Sequence, residues 1–409
     1  MSQCPFAYRA GGAAAVWDRV EAGLAPDAPV HRAPDPFTGA PCWIVTGRDA
    51  IDQVSRAPLL YSSAARSAMP EEYGESALSI LRKQLINMDP PRHKAHRAIL
   101  TAHFSDQARA RYRPHVVSFA EQTVDAMLAA DQCEFVGQVA TELPFLTILH
   151  ILGLPAGDRR ELAPLVRQVL FGEHAAKAKA SSELYFYALR QLHRCRQGAA
   201  VPGSLMAAMM HASADGKPLD DADIISLLVF VLIAGTSSTR ATISHGMLLL
   251  IEHPDQYRRL AAAPQLVASA VEEMLRHAPA FTCMRRTALA DTVLAGVAIA
   301  QGDKLLLCYR PGRFSARHFG ADARAFDVGR AVEAGNTHRA FGSGQHFCLG
   351  NGIARMELTA LFSALARHIG APRLLSPPQF SDSLHLDDID SMRIHYARAP
   401  GRPDGAADD

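Results

Sequence analysis

The amino-acid sequence predicts a mainly α fold with small peripheral β-sheets, built as a single domain over residues 1–409. Apolar residues recur at helical spacing in several separate stretches, one of them long enough to cross a whole domain. The strand-like stretches are short and sit near the two ends of the chain, and no internal repeat, long linker or low-complexity segment divides it.

The first strand signal is CWIVT at residues 42–46, which follows PDPFTG, a turn-rich hexapeptide that predicts a hairpin. RHKAHRAILTAHF begins just after Pro90 and Pro91 and reads as a helix. FAEQTVDAMLAA, RRELAPLVRQVLF and SSELYFYALRQLHRC carry the spacing of amphipathic helices. Residues 219–253, with Asp220 at the start and Pro254 just past the end, read as one helix of roughly 30 residues and about 45 Å. Its middle, IISLLVFVLIAG, is apolar on all sides and must be buried. Gly235, Thr236, Ser237, Ser238 and Thr239 come straight after it. Such weak helix formers at the midpoint of a buried helix predict a kink, a water or a ligand. PQLVASAVEEMLRH is a further helix closed by Pro279, DTVLAGVAI and KLLLC predict a second small sheet, and the polar tail GRPDGAADD (401–409) predicts disorder.

A chain that is 48% hydrophobic and 20% charged is not disordered. Its 42 basic and 41 acidic residues nearly cancel, so nothing global points to nucleic acid or an acidic membrane surface, and neither is expected as a partner. None of the seven cysteines forms a CxxC or CxxH pair, so neither a zinc knuckle nor a disulfide framework is predicted, and reduced cytoplasmic thiols are expected. AGGAAAVW at residues 10–17 is too weakly apolar for a secretory core. The uncharged run at residues 224–239 falls short of the roughly 20 residues of a membrane span. The expectation is a soluble protein with no membrane segment.

The chemistry concentrates in FGSGQHFCLG at residues 341–350, where one cysteine sits among three glycines. Gly342 and Gly344 admit backbone angles closed to other residues, so that succeeding amides can point at the sulfur. Gly350 lets a helix, NGIARMELTALFSAL, start directly behind Cys348, and its positive end favours an anion. An anionic sulfur in this cradle serves either as a nucleophile, with His346 as its base, or as the ligand of a metal that accepts a single thiolate, as haem iron does. Elsewhere His93 and Arg97 stand at i, i+4 in MDPPRHKAHR, where both reach one anionic group, and EEMLR supplies Glu273 and Arg276.

The decapeptide resembles the signature FGxGxHxCxG of the cytochrome P450 superfamily, here of the soluble, bacterial type, and matches it at Phe341, Gly342, Gly344, His346, Cys348 and Gly350. MDPPRHKAHR, EEMLR with the following RRTALAD, and AGTSST at residues 234–239 resemble three further family segments, so the likeness spans most of the chain. The resemblance implies a cytochrome P450 fold with haem between the long central helix and the helix behind the cysteine loop. It implies haem b (iron protoporphyrin IX) with Cys348 as axial thiolate. His93, Arg97, Arg286 and His346 are implied to hold the haem propionates, Phe341 to belong to the haem loop, and Gly235 to leave oxygen room beside the iron. Ser237 falls at the family's acidic position and Ser238 at its alcohol position, and with Thr239 they are implied to order the waters that deliver protons.

The acid is missing, although O–O cleavage requires protons and a carboxylate relays them better than an alcohol. Three substitutes are open: water organised by the hydroxyls, a proton from the substrate, or use of peroxide or a different electron route. The third partner of Glu273 and Arg276 falls on Arg313 or Arg324, and His338 fits a family position of structural role.

The implied activity is that of a monooxygenase using one atom of O2 on a mid-sized hydrophobic or aromatic small molecule, in natural product biosynthesis, by a cytoplasmic monomer. No dinucleotide fingerprint or iron–sulfur cysteine spacing occurs in the chain, so a ferredoxin and ferredoxin reductase fed by NAD(P)H are implied as partners. Arg92, Lys94, Arg109, Arg111 and Arg113 offer them a basic docking face. A peroxide-driven oxidase and a non-enzymatic haem-thiolate sensor are the alternatives. The implied pocket walls are residues 63–86, 231–234, 280–284 and 386–391, offering Met69, Tyr73, Leu78, Leu232, Phe281 and Met284, with Asp387, Asp388 and Asp390 at one edge.

Overall fold

The structure, a computed structural model, describes residues 12–24, 28–331 and 338–399; the polar tail at 401–409 and the first residues of AGGAAAVW lie outside them. The long helix runs from Asp221 to Glu252, 32 residues, and starts where the Asp220 carboxylate accepts the Asp223 amide at 2.6 Å. By length and composition it could cross a membrane, which the uncharged run alone understated. The helix extends past that run because Arg240, the charge that ends it, is buried in an ion pair with Asp388. It runs through the interior, where Glu142–Leu152, His174–Arg194 and Val267–His277 pack on it and Ile224, Leu228, Leu232 and Met247 are buried.

The predicted softening at residues 235–239 does not break this helix. The hydroxyls of Thr236, Ser237 and Ser238 donate to the carbonyls of Leu232, Ile233 and Ala234 at 2.8, 2.8 and 2.9 Å, an internal use of the alcohols that keeps the turn closed. FAEQTVDAMLAA belongs to a longer helix, Asp106–Met127, which Ser105 caps and which packs along Asn351–His368, the helix behind the cysteine.

The strands lie at the periphery. Val30–Pro34 and Pro41–Val45 form the predicted hairpin, and the Asp35 carboxylate ties its turn by accepting the Phe37 amide at 3.0 Å and the Thr38 hydroxyl at 2.7 Å. Lys304–Cys308 pairs in parallel with Pro41–Val45 and antiparallel with Cys283–Ala288, in a five-stranded sheet. It therefore does not join DTVLAGVAI, which closes on itself as a separate hairpin, Thr292–Leu294 with Val297–Ile299, through Ala295 and Gly296 at positive φ.

Two adjacent glutamates of Val267–His277 fix what surrounds the cysteine loop. Glu273 accepts Arg276 Nε and Nη2 at 2.7 and 2.6 Å and Arg330 Nε at 3.1 Å. Arg330 is thus the third member of the network, not Arg313 or Arg324. Arg313 contributes its carbonyl to Arg276 at 2.8 Å, and the Arg324 guanidinium lies 5.4 Å from the Phe314 ring centre. Burial alone would raise the Glu273 carboxyl, but hydrogen bonds from Arg276 and His277 outweigh it and hold the group at about 2. Glu272 binds His338 Nε2 at 3.1 Å and the Arg355 guanidinium, which itself lies 4.5 Å from the Phe341 ring centre, so both ends of the loop are tied to one helix.

Candidate active site

Gly342 and Gly344 take φ of 67° and 66°, as the decapeptide requires. A Cβ at Gly344 would collide with the Ser55 carbonyl, so this glycine also lets the loop touch the backbone of Arg48–Arg56. The loop closes through Cys348 N donating to Phe341 O at 3.0 Å, and Asn351 Nδ2 fixes the Cys348 carbonyl at 2.8 Å. The amides of Gly350 and Asn351 face the Cys348 sulfur, with Arg97 and Arg355 as the nearest cations. Burial nevertheless outweighs these groups and pushes the thiol up, so the cradle alone does not make the anion that the sequence suggested. A metal bound to the sulfur would, because a coordinating thiol is deprotonated outright.

Cys348 lines a cavity that is continuous with solvent and, together with that open space, encloses about 1610 Å³. His93, Arg97, Arg286 and His346 line the same cavity, although they come from three separate parts of the chain. The His93 and His346 rings lie 4.2 Å apart. Arg97 Nη2 donates to the Phe347 carbonyl at 2.7 Å, and Arg286 Nη1 to the Arg285 carbonyl at 2.6 Å. Burial, with Arg97 and Arg286 adding to it, pulls His93 down to about 4; burial and Arg286 also pull His346 well below the usual histidine range.

Among the described residues neither arginine closes an ion pair with a carboxylate, and buried His93 Nε2 has no hydrogen-bond partner. A half-buried Arg97, a buried Arg286 and the orphaned His93 nitrogen fit an anionic ligand, and guanidinium groups pair readily with a carboxylate. Much of the remaining lining is apolar, with Leu100, Ile148, Val231, Ala234, Leu349 and Ile353. A flat apolar macrocycle bearing two acids and a metal that takes one thiolate matches this donor set, so the residues fit haem.

On the central helix Ala234, Gly235, Ser238 and Thr239 line the cavity, while Ser237 is turned away and buried, donating to Ile233 O at 2.8 Å. Gly235 also serves packing, since a Cβ there would lie 2.8 Å from Ile148 Cδ1. Phe281 and Met284 line the cavity as expected from the wall segments, but Leu78 and Leu232 are core residues, and Met69 and Tyr73 are not in the lining. The acidic edge is spent internally: Asp388 on Arg240, Asp387 on His245 at 3.3 Å, and Asp390 on Arg167 at 3.0 Å.

Sequence reasoning missed Thr147, Thr242, Tyr309 and Glu357, all of which line the cavity. Glu357 carried a signal, because it stands between Ile353 and Leu361 at i, i+4 on the apolar stripe of its helix, where a charge is out of place. Of the basic face, Arg92 is paired with Asp223 at 3.2 Å and Arg109 with Asp106, while Lys94, Arg111 and Arg113 are exposed.

A model of the cytochrome P450 family matches residues 161–368. Linalool 8-monooxygenase of Pseudomonas putida is 30% identical over 388 residues, covering 91% of this chain and 94% of that protein. The steroid C26-monooxygenase of Mycolicibacterium smegmatis is 29% identical over 367 residues, 87% of this chain and 84% of that one. A Mycobacterium marinum cytochrome P450 solved with pseudoionone is 27% identical, superposes with a TM-score of 0.83, and covers 95% of this chain and 96% of its own.

Proposed function

Because the chain belongs to the cytochrome P450 family, whose members bind haem b through a cysteine thiolate and act as monooxygenases, we propose that Cys348 is the axial ligand of a monooxygenase for mid-sized hydrophobic substrates of terpenoid or steroid size. One observation carries the reading: the sulfur that the Gly350 and Asn351 amides face opens into the same cavity that His93, Arg97, Arg286 and His346 line. Haem held there supplies the iron on which dioxygen is activated for insertion of one oxygen atom into the substrate.

The chain supplies the rest. Arg97 and Arg286 would hold the propionates by charge-assisted hydrogen bonds, and His93 and His346, kept neutral by burial, would complete that set. Phe230, Phe281 and Met284 give the substrate an apolar wall that excludes water from the reacting carbon. Ser238 and Thr239 present hydroxyls to the cavity for proton transfer, whereas Ser237 serves the helix. The same reading makes the protein a cytoplasmic monomer of natural product biosynthesis that takes electrons from a ferredoxin and its NAD(P)H-dependent reductase.

A titration of the haem-loaded protein with a panel of terpenoids and steroids, read as the shift of the haem spin state, tests cofactor and pocket together. Saturable shifts with some members are expected, and silence across the panel would contradict the substrate class. The lack of a carboxylate on the cavity face of the central helix favours one second reading, a peroxide-driven oxidase. Faster product formation with hydrogen peroxide than with reductase, ferredoxin and NAD(P)H would establish it.

A further inference from the structure

We propose that Asp387, Asp388 and Asp390 are positioning residues that hold one wall of the cavity in a single setting against the central helix and so determine which carbon of the substrate is oxidised; the inference rests on the monooxygenase reading above. None of the three lines the cavity. They sit on a hairpin of Gln379–Phe380 and Ile389–Ser391, Asp387 and Asp388 in its loop and Asp390 on the returning strand. The loop runs along the wall. The Asp387 amide donates to Ala280 O at 2.8 Å, the Thr282 amide donates to His385 O at 3.0 Å, and Leu386 bridges to Phe281 between them. Ala280, Phe281 and Met284 in turn face the cavity. Wherever the loop stands, the wall stands with it.

The loop is anchored to two helices. Asp388 is ion-paired with Arg240, both of them buried, and also accepts the Ile389 amide at 2.8 Å. Asp387 Oδ1 lies 3.3 Å from His245 Nε2. Arg240 and His245 both belong to Asp221–Glu252, which also carries the cavity residues Ser238, Thr239 and Thr242. Asp390 reaches Arg167 of the helix Arg159–Phe171 at 3.0 Å, and the Arg240 guanidinium lies 5.7 Å from the Phe171 ring centre at the end of that helix. Asp387 and Asp388 are consecutive, whereas their partners stand five residues apart. A slip of the loop by one residue would therefore leave a carboxylate and a guanidinium buried without partners.

Stability alone does not account for this arrangement. Taking Arg240 and Asp388 out of water costs about as much as their attraction returns, and replacing such a pair by apolar side chains of comparable size is often neutral or stabilising. Charge does what an apolar contact does not: it admits one register only. The packing around the pair is of the interchangeable kind, Ala241, Ala280 and Leu386 against Leu170, Phe171 and Phe281, and would tolerate sliding. With the wall held, Phe281 and Met284 keep one position relative to Thr239 and Thr242. A substrate with several oxidisable carbons then presents one of them to the reacting centre.

The test uses the haem-loaded enzyme, the single variant Asp388→Asn, and the double variant Arg240→Met with Asp388→Leu, which removes both charges and keeps the bulk. Geraniol and progesterone, a terpenoid and a steroid that each offer several oxidisable carbons, are the probes, supplied with reductase, ferredoxin and NAD(P)H. The wild type is expected to give one main product from each probe it oxidises. The double variant is expected to melt within a few degrees of the wild type and to keep the red-shifted ferrous–CO band. Its products nevertheless spread over further carbons, the share of the main one falling by about half or more. Asp388→Asn, which leaves Arg240 buried without its carboxylate, is expected to spread them likewise and to speed amide hydrogen exchange at Thr282 and Asp387 by about tenfold. If both fail to fold, Asp390→Asn, whose partner Arg167 is half exposed, carries the test with the same product readout. An unchanged product distribution in a folded variant, or a wild type without a main product, overturns the proposal alone. A wild type that oxidises neither probe overturns the monooxygenase reading for this substrate class first and this proposal with it.

Discussion

Single side chains in this protein owe their protonation to burial first and to partners second, and two glutamates show the two outcomes. Glu273, held at about 2 by Arg276 and His277, contributes stability that is present above its unfolded value near 4.5 and is lost as pH falls through about 2. Glu357, raised to about 8, contributes stability that is present below 4.5 and is lost as pH rises through 8. Urea unfolding at pH 5 and pH 8 checks this. Between them the wild type is expected to lose up to roughly 1.4 kcal/mol of stability for every tenfold fall in proton concentration, and Glu357→Gln to escape that loss. Equal pH slopes in the two proteins would contradict it. Ser238 donates to Ala234 O and lines the cavity, so Ser238→Ala leaves the fold intact. It is expected to raise hydrogen peroxide release per NAD(P)H by only a few-fold, because the Thr239 hydroxyl remains in the cavity lining.

Secondary elements succeed where the chain allows close approach. Gly344→Ala sets a Cβ against the Ser55 carbonyl at a positive φ, and neither backbone can yield. A loss of at least about 2 kcal/mol and poor haem retention are expected, read by thermal melting and haem content. Gly235→Ala meets only the tip of Ile148, a side chain that can move, and is expected to cost about 1 kcal/mol, recovered in part by Ile148→Val. These glycines and the helices around them were legible in the sequence because local spacing and a ten-residue signature carry them. The partners of KLLLC were not, since strand pairing across some 260 residues leaves no local trace. Arg330 was hidden for a related reason: between Phe314 and Arg330 the chain forms only the one-turn helix Ala316–Phe319, too short for a periodicity from which to read which guanidinium turns inward. On the cavity face of the central helix Gly235, Ser238 and Thr239 were legible, whereas Thr242 was missed and Leu232 and Ser237 proved to be packing residues, because one residue of helical rotation separates lining from packing.

Over the whole molecule, near-neutral net charge leaves local patches to choose partners. Arg109 packs on Gly352, beside the helix that starts behind Cys348, and Arg113 follows one turn later with its side chain exposed. That places a positive edge next to the cysteine loop, and Arg113→Glu is expected to raise the apparent KM for ferredoxin several-fold at low salt, with the difference shrinking as ionic strength rises. An unchanged KM would place the electron donor elsewhere. The central claim is that the chain grips its iron through the Cys348 sulfur, and the carbon monoxide spectrum of the reduced, haem-loaded protein tests it most directly. The wild type is expected to show the red-shifted ferrous–CO band and Cys348→Ala to lose it; a band that survives the substitution would contradict the account.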